Sequence, residues 1–486
     1  LVDRPHETLD LMKYILLWLL CTGSMWGVFW SATANLWREE KAKPKPEPAP
    51  NVLFIAVDDL NHWVGYTGRN KLAKTPNIDR LSQMGMSFTN AHCAAPLCCP
   101  SRAALMSGLR PSTTGVYTNG DDWRKVIPDS ITLPSFFRKK GYWVAGGGKL
   151  YHGGFDRDTE FNYYYRNAKD RANQGVVKRG QFGGIRWAQM DAGDDALADY
   201  HVAQWAGSEL LKKHDRPFFL ACGIFRPHMP WNVPKKYYDM YPLEQIQLPP
   251  YRKDDLEDVP LPGQKIADNG DHKALLKTTN PEQTWKEAIQ AYLACITYAD
   301  AQIGRVLDAL EQGPNRQNTI VVLWGDHGWH LGEKDHWRKF SLWEEATRAP
   351  LIWYVPGMTK ANSRCDRTVD FMSIYPTLAE LCGFEPPAHL EGKSILPLLK
   401  NPQAKWDSPA ICTFNYNNHA VRTEQWRYIR YNQGEEELYD EKKDPYEWKN
   451  LAKAARSTKV KTQLQQWLPK VNNNQKVGND GGATEN

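Results

Sequence analysis

Four short apolar runs in this chain stop abruptly at polar or charged residues. Val52-Leu53-Phe54-Ile55-Ala56-Val57 ends at Asp58-Asp59, and Ile320-Val321-Val322-Leu323-Trp324 ends at Gly325-Asp326-His327. Phe218-Phe219-Leu220-Ala221-Cys222-Gly223-Ile224 ends near Arg226 and His228, and Tyr142-Trp143-Val144-Ala145 passes through glycines to Lys149. Continuously apolar runs suit strands covered on both faces, the habit of parallel sheets. Helical patterns lie between them. Thr75-Pro76-Asn77 opens one helix and Gly85 closes it. Another runs from about Ala288 to Leu310, with an apolar stripe through Tyr292, Ile296, Ile303, Val306 and Leu310. This alternation predicts an α/β fold: a large mixed, mostly parallel sheet sandwiched by helices. Ligands of such sheets collect at the carboxyl ends of the strands, where all these polar clusters fall.

The α/β region is expected over residues 51–399. Beyond it, Ala410-Ile411-Cys412-Thr413-Phe414, Ala420-Val421-Arg422 and Trp426-Arg427-Tyr428-Ile429-Arg430 are strand-like pieces between Asn and Gly turns. They predict a smaller antiparallel-sheet subdomain over 400–470, and the Asn- and Gly-rich end, 471–486, reads as a disordered tail. At the other end, Met12-Lys13 precedes an apolar run from Tyr14 to Phe29, and Ala32-Thr33-Ala34 has the small-x-small pattern of a signal-peptidase site. Residues 1–34 therefore read as a leader and 35–50 as a Pro-rich linker, giving an exported, periplasmic or extracellular protein. An uncleaved leader acting as a membrane anchor is the alternative.

The chain has 486 residues with 61 Lys+Arg against 56 Asp+Glu, a net charge of +5, which argues against a dedicated nucleic-acid binder. Its 20 Trp, 22 Tyr and 15 Phe are spread along the chain and exclude a wholly disordered or collagen-like molecule. Of 9 cysteines, Cys21 falls in the leader, and the rest show no CxxC pair that would suggest zinc. One or two disulfides are compatible with an oxidising compartment, with no pairing legible.

The most informative stretch is Pro96-Leu97-Cys98-Cys99-Pro100-Ser101-Arg102. Pro100 and Ser101 suit a helix start, which would put Cys98 just before a helix N-terminus, where backbone N–H groups favour an anion. Arg102, one turn in, can reach back to the same point. Cys98-x-Pro100-Ser101-Arg102, followed by Met106-Ser107-Gly108-Leu109-Arg110-Pro111, resembles the signature of the type I sulfatases, whose cysteine is oxidised after translation to formylglycine. The resemblance extends to Asp58-Asp59, Gly148-Lys149-x-x-His152, Arg226-Pro227-His228, Asp326-His327-Gly328 and Lys339, and covers roughly residues 50–450. Gly325 to Glu333 and Ala349-Pro350-Leu351-Ile352 look most like the iduronate-2-sulfatase-like branch.

The resemblance implies an alkaline-phosphatase-like fold, sulfate ester hydrolysis, and a partner enzyme (formylglycine-generating or sulfatase-maturing) that converts Cys98. It assigns Asp58, Asp59, Asp326 and His327 to a divalent cation, with the side chain at Cys98 alongside. Three carboxylates favour Ca²⁺ or Mg²⁺ over a softer metal, and the resemblance implies Ca²⁺ before Mg²⁺. A hydrated aldehyde would attack sulfur through one hydroxyl, the ester oxygen would depart, and collapse of the other hydroxyl would expel sulfate. Arg102 and Lys149 would hold the modified group, and His152 would accept a proton during collapse. His228 would protonate the leaving oxygen, and Lys339 would neutralise sulfate charge.

Near the metal motif, Arg226, Trp329, His330, His336 and Trp337 are expected to contact substrate, with Arg226 and Arg338 pairing with a sugar carboxylate. His62, Trp63, His92 and Glu344 lie around the same set. The expected substrate is a sulfated carbohydrate, a polysaccharide or uronate-type sugar. Two other readings stand beside it. A phosphonate or phosphate ester hydrolase of the same superfamily can carry the same Cys-x-Pro-Ser-Arg. A catalytically silent glycan-binding protein should have lost a nucleophile, a metal carboxylate or a basic group, whereas every such position is filled here.

Overall fold

The computed structural model describes residues 49–475 and Val477; the leader expected over 1–34, nearly all of the linker and most of the tail lie outside them. In chain order the elements are β1 (Asn51–Val57), α1 (Pro76–Met84), β2 (Met86–Phe88), α2 (Cys98–Ser107), β3 (Trp143–Gly148) and β4 (Tyr163–Tyr165). A hairpin follows, β5 (Val176–Phe182) and β6 (Ile185–Met190), then α3 (Ala198–Leu210), β7 (Phe218–Ile224), β8 (Trp231–Pro234) and α4 (Pro281–Gln312). The α/β region ends with β9 (Thr319–Gly325), β10 (Leu351–Tyr354), β11 (Ser363–Cys365) and α5 (Ile374–Leu381).

Eight strands form the main sheet in the order β11-β2-β10-β9-β1-β7-β3-β4. The centre is parallel, with β1 between β9 and β7 and β3 beyond β7. β10 runs antiparallel to both β9 and β2. The mixed, mostly parallel α/β architecture is as expected. β1 is buried at every position because its two faces feed different cores. Val52, Phe54 and Ala56 pack with residues of α2 and α5, and Leu53, Ile55 and Val57 pack with residues of α1, α3 and α4. α4 begins earlier than its apolar stripe suggests, because Asn280 caps it by accepting from Gln283 N at 3.2 Å and Pro281 occupies the first turn.

The C-terminal antiparallel sheet contains β12 (Ala410–Thr413), β13 (His419–Arg422), β14 (Trp426–Arg430) and β15 (Glu436–Asp440), followed by α6 (Thr458–Gln465). β15 escapes a sequence reading because Glu435-Glu436-Glu437 looks like a solvated run; Glu437 is in fact buried, accepting from Trp343 Nε1 at 2.8 Å and Tyr439 Oη at 2.5 Å. The boundary expected at residue 399 separates two sheets but not two bodies. Cys412, Phe414, Ala420, Ile429 and Tyr439 belong to the same core as β1 and α2. Buried Arg427 ties the sheets further, contacting Glu344, Glu441 at 3.1 Å and Glu447 at 2.6 Å.

The described start of the expected disordered tail is bound to this body. Asn473 N donates to Ser112 O at 2.8 Å, and Asn472 Oδ1 lies 2.8 Å from His419 Nε2. All eight described cysteines are buried, and none of them forms a disulfide with another. Among the described residues no helix is long and apolar enough to cross a membrane.

Candidate active site

β1 and β9 are parallel neighbours, so their carboxyl ends deliver Asp58-Asp59 and Asp326-His327 to one place. Asp59 N donates to Asp326 Oδ1 at 2.9 Å. Asp59 holds φ at +55°, an unusual backbone for a non-glycine residue. Tyr292 of α4, legible in sequence only as part of an apolar stripe, fixes that turn: its hydroxyl donates to Asp59 O at 2.7 Å and accepts from Asn61 N at 3.0 Å.

α2 starts at Cys98 itself rather than after it, with Leu97 as the extended residue before the first turn. Cys98 Sγ is buried 3.0 Å from Lys339 Nζ, 3.3 Å from His327 Nε2, 3.7 Å from Asp59 Oδ1 and 3.9 Å from Lys149 Nζ. Burial, reinforced by the Asp58 charge, pushes the Cys98 thiol up to about 12 against the pull of Lys149 and Lys339. An unmodified thiol there stays protonated at neutral pH and is a weak nucleophile. Ser101, read in sequence as a helix-start residue, donates from Oγ to Asp326 O at 2.6 Å and so locks α2 to the end of β9.

The basic residues bridge these strand ends. Arg102 Nε donates to Asp326 Oδ2 at 2.8 Å and Nη2 to Asp58 Oδ1 at 3.1 Å, while Nη1 reaches the Lys149 and Leu150 carbonyls. Lys149, at the end of β3, pairs with Asp58 Oδ2. Burial opposes ionisation of Asp58, but Lys149 and Arg102 outweigh it and hold the carboxyl well below its ordinary range. Asp326 goes the other way: burial and the facing Asp58 raise it despite Arg102. For Lys149, burial is outweighed by Asp58 and Cys98, and its pKa rises.

Lys339 is fully buried, with Nζ 3.1 Å from Asp59 Oδ1, although its charged sequence neighbourhood reads as solvated. It is delivered by a contorted segment: Lys334, Asp335, Arg338 and Phe340 all have positive φ. Strained backbone of this kind persists only where surrounding contacts over-determine it. His228 Nδ1 donates to Met229 O at 2.6 Å, which turns Nε2 toward Asp59 Oδ2 at 3.8 Å. Burial and Lys149 pull His228 down, but Asp59 and Asp58 prevail and raise it to about 9. His152 lines a cavity of about 510 Å³ together with Lys149, Tyr164 and His228.

The donor set suits a hard cation. Asp58, Asp59, Cys98 and His228 offer ligand atoms within 4.8 Å of one another, as do Cys98, Asp326 and His327. His327 Nδ1 donates to Gly328 O at 2.9 Å, leaving the Nε2 lone pair 3.3 Å from Asp59 Oδ1 and 3.6 Å from Asp326 Oδ1. Asp59 Oδ2 is buried and accepts no hydrogen bond among the described residues. Acceptors facing acceptors in a buried site are costly unless a cation or proton lies between them.

The structure thus brings together Asp58, Asp59, Cys98, Arg102, Lys149, His228, Asp326, His327 and Lys339, with His152 on the adjoining cavity wall. Four of the residues expected to contact substrate are buried and line neither the Lys149 cavity nor the Trp329 cavity. Arg226 is buried beside Asp199, its backbone N donating to Asp199 Oδ2 at 2.9 Å and its Nε to Asn232 O at 3.4 Å. His330 is buried with Nε2 2.8 Å from Ser341 Oγ. His336 packs behind the site, with Nε2 2.5 Å from the Lys339 carbonyl. Trp337 is buried edge-on to Phe182 at 4.7 Å. His330, His336 and Trp337 are held by contacts within and behind the loop that carries Lys339. Trp329 does border a cavity, which it shares with His228 and Arg338. His62, Trp63, His92 and Glu344 are likewise buried.

Residues 50–384 match the family described as Sulfatase, and residues 326–474 match that described as N-sulphoglucosamine sulphohydrolase, C-terminal. A "Sulfatase" of Formosa agariphila is 43% identical over 453 residues, 89% of each chain. The iduronate 2-sulfatase of Mus musculus is 33% identical over 386 residues, 70% of each chain. A solved structure described as a 2-O GAG sulfatase superimposes with a TM-score of 0.69 at 26% identity, over 86% of this chain and 91% of the other. Strand ends, basic bridges and sequence relatives agree: the chain belongs to the sulfatase family and is a sulfuric ester hydrolase.

Proposed function

We propose that this protein is an exported sulfatase that removes sulfate from a sulfated carbohydrate, using formylglycine made from Cys98 by a maturing enzyme and a hard divalent cation, Ca²⁺ before Mg²⁺. The observation that carries the reading is the position of Cys98 Sγ, within 4 Å of Lys339, Lys149, His327 and Asp59 at once. Formylglycine supplies a hydrated aldehyde hydroxyl as nucleophile and a second hydroxyl for release of sulfate. Asp58, Asp59, Asp326 and His327 would hold the cation, which supplies positive charge for a sulfate oxygen.

The chain's own residues account for the rest. Lys339 and Lys149 place two ammonium groups within 4 Å of the reacting position, where they offset the charge of an incoming sulfate. Arg102 pairs with both Asp58 and Asp326 and offsets part of the repulsion between these two carboxylates. His228 has Nδ1 committed to Met229 O and Nε2 turned inward toward Asp59, the orientation a general acid for a leaving alkoxide requires. His152, on the open cavity wall, is placed to take a proton during sulfate release. The leader-like start of the sequence supports export, and the mouse relative's name supports a uronate-type sugar.

The test is a panel of sulfated saccharides and aryl sulfates, with paired phosphate esters, using protein whose Cys98 peptide has been weighed. Formylglycine lowers that peptide by about 18 Da, the difference between a thiol and an aldehyde side chain. Sulfate release from a saccharide by modified protein, and none by Cys98→Ala protein that still binds it, supports the reading. Preference for phosphate esters, turnover of aryl sulfates alone, or an unmodified thiol in the native host refutes it.

A further inference from the structure

Two cavities open on the far side of His228 from the Lys149 wall. The first, about 490 Å³, is bordered by His228, Trp329, Arg338, Gln181 and Arg186. The second, about 590 Å³, shares Gln181 and Arg186 with the first and adds Arg179, Asn173 and Asn232. Among the described residues no carboxylate lines either cavity, whereas the Lys149 side is lined by Asp156, Asp170 and Asp199.

The arginines are aligned by strand geometry. Gln181 on β5 and Arg186 on β6 are cross-strand partners, so their side chains leave the same face of the hairpin. Arg179 lies two residues before Gln181 and projects to that face as well, about 7 Å further along the strand. Arg338 stands at the inner end, and its guanidinium is fixed. Nε and Nη2 donate to buried Asp271 at 2.7 and 3.1 Å, and the same Asp271 Oδ1 accepts from Gly184 N at 2.7 Å. Gly184 is needed here, because a Cβ on it would lie 1.5 Å from Arg338 Nη2. The hairpin turn therefore seats Arg338 at the entrance of a groove that continues past Arg186 to Arg179.

We infer that this groove is a subsite for anionic groups, carboxylate or sulfate, on the sugars flanking the residue that loses its sulfate. The inference rests on the sulfated-carbohydrate reading and deepens it: His228 faces both the reacting position and the groove mouth, so a ligand leaving past His228 enters the groove. Arginine suits planar and tetrahedral oxyanions through paired N–H donors. A groove lined by two asparagines and a glutamine as well as arginines matches a ligand rich in hydroxyls between its charges.

The experiment uses the mature full-length enzyme and its Arg179→Ala/Arg186→Ala variant. The probes are 4-nitrophenyl sulfate, a sulfated uronate-containing tetrasaccharide, and that tetrasaccharide with its carboxylates reduced or its flanking sulfates removed. Both substituted residues are exposed. The expected result is a KM on the intact tetrasaccharide raised about tenfold or more with kcat nearly constant, in line with loss of charged contacts, and unchanged kinetics on 4-nitrophenyl sulfate. Reducing the carboxylates, or removing the flanking sulfates, should erase the difference between wild type and variant, and whichever does so names the anion. Equal KM for wild type and variant on an intact tetrasaccharide that is still cleaved overturns the subsite alone. Turnover of 4-nitrophenyl sulfate with neither cleavage of the tetrasaccharide nor its binding by Cys98→Ala protein overturns the carbohydrate reading and the subsite with it.

Discussion

Arg102 Nε donates to Asp326 Oδ2 at 2.8 Å across 224 residues of sequence, and both side chains are fully buried. The same guanidinium holds Asp58, so one side chain on α2 staples the ends of β1 and β9 together. Breaking a buried pair from one side leaves an uncompensated charge, which costs about 3–5 kcal/mol. Arg102→Met should therefore lower the unfolding free energy by that amount, with a lower denaturation midpoint, and abolish sulfate release. Arg102→Lys keeps the charge but loses the fork, and should recover part of the stability with little activity. A wild-type midpoint in Arg102→Met would refute the staple.

Lys339→Met removes the ammonium 3.0 Å from Cys98 Sγ. Loss of one preorganised charge of this kind costs about 10²–10³ in kcat. Single-turnover sulfate release should fall by that factor. An unchanged rate would remove Lys339 from the reacting position.

Gly223 sits near the carboxyl end of β7, beside the end of β3, and a Cβ there would lie 2.4 Å from the Lys149 backbone carbon and oxygen. Backbone cannot swing aside as a flexible side chain can. Gly223→Ala should cost about 1–3 kcal/mol by overpacking. It should also displace Lys149, so that kcat/KM falls more than stability alone explains. Chemical denaturation and kinetics on one preparation separate the two effects.

Removing divalent cations should lower Tm as well as activity, because a cation bound only by the folded chain stabilises it by about 2.7 kcal/mol at a hundredfold excess over Kd. Chelation followed by Ca²⁺ or Mg²⁺ should restore both. A Tm insensitive to chelation would count against the carboxylate cluster as a metal site.

His419 joins the C-terminal sheet to the chain end, with Nδ1 3.0 Å from Thr413 Oγ1 and Nε2 2.8 Å from Asn472 Oδ1. Burial lowers it from 6.5 to about 4, although the Asn472 contact opposes the shift. The folded pKa is depressed, so its contribution is complete above pH 6.5 and declines as pH falls toward 4, where the unfolded chain binds the extra proton. Urea titrations should show stability falling by about 2 kcal/mol between pH 7 and 5 from this group. His419→Gln should flatten that slope, and an equally steep slope in the variant would refute the assignment.

The candidate site was unevenly legible. Asp58-Asp59 and Asp326-His327 follow continuous apolar runs, and such runs have few alternatives to a doubly covered strand, so their position at strand ends could be read directly. The Cys98 motif was legible because its residues are local. His330, His336 and Trp337 are equally close to that chemistry along the chain, yet they are buried against other groups: His330 against Ser341, His336 against the Ala267 carbonyl and Trp337 against Trp285 of α4. Tyr292 fails in the opposite direction: its helical spacing announces a core residue, while its hydroxyl shapes the Asp59 turn.

The amino-acid order alone determined the central strands β1, β3, β7 and β9, the helix that presents Cys98 and the residue types available for anion and cation binding, since these depend on contacts a few residues apart. Strand order was settled only in three dimensions, when β7, β1 and β9 became neighbours and their ends shared one cradle. Which side chains face that cradle was settled there too. Burial is summed over surfaces contributed by distant segments, and no local stretch of sequence records that sum.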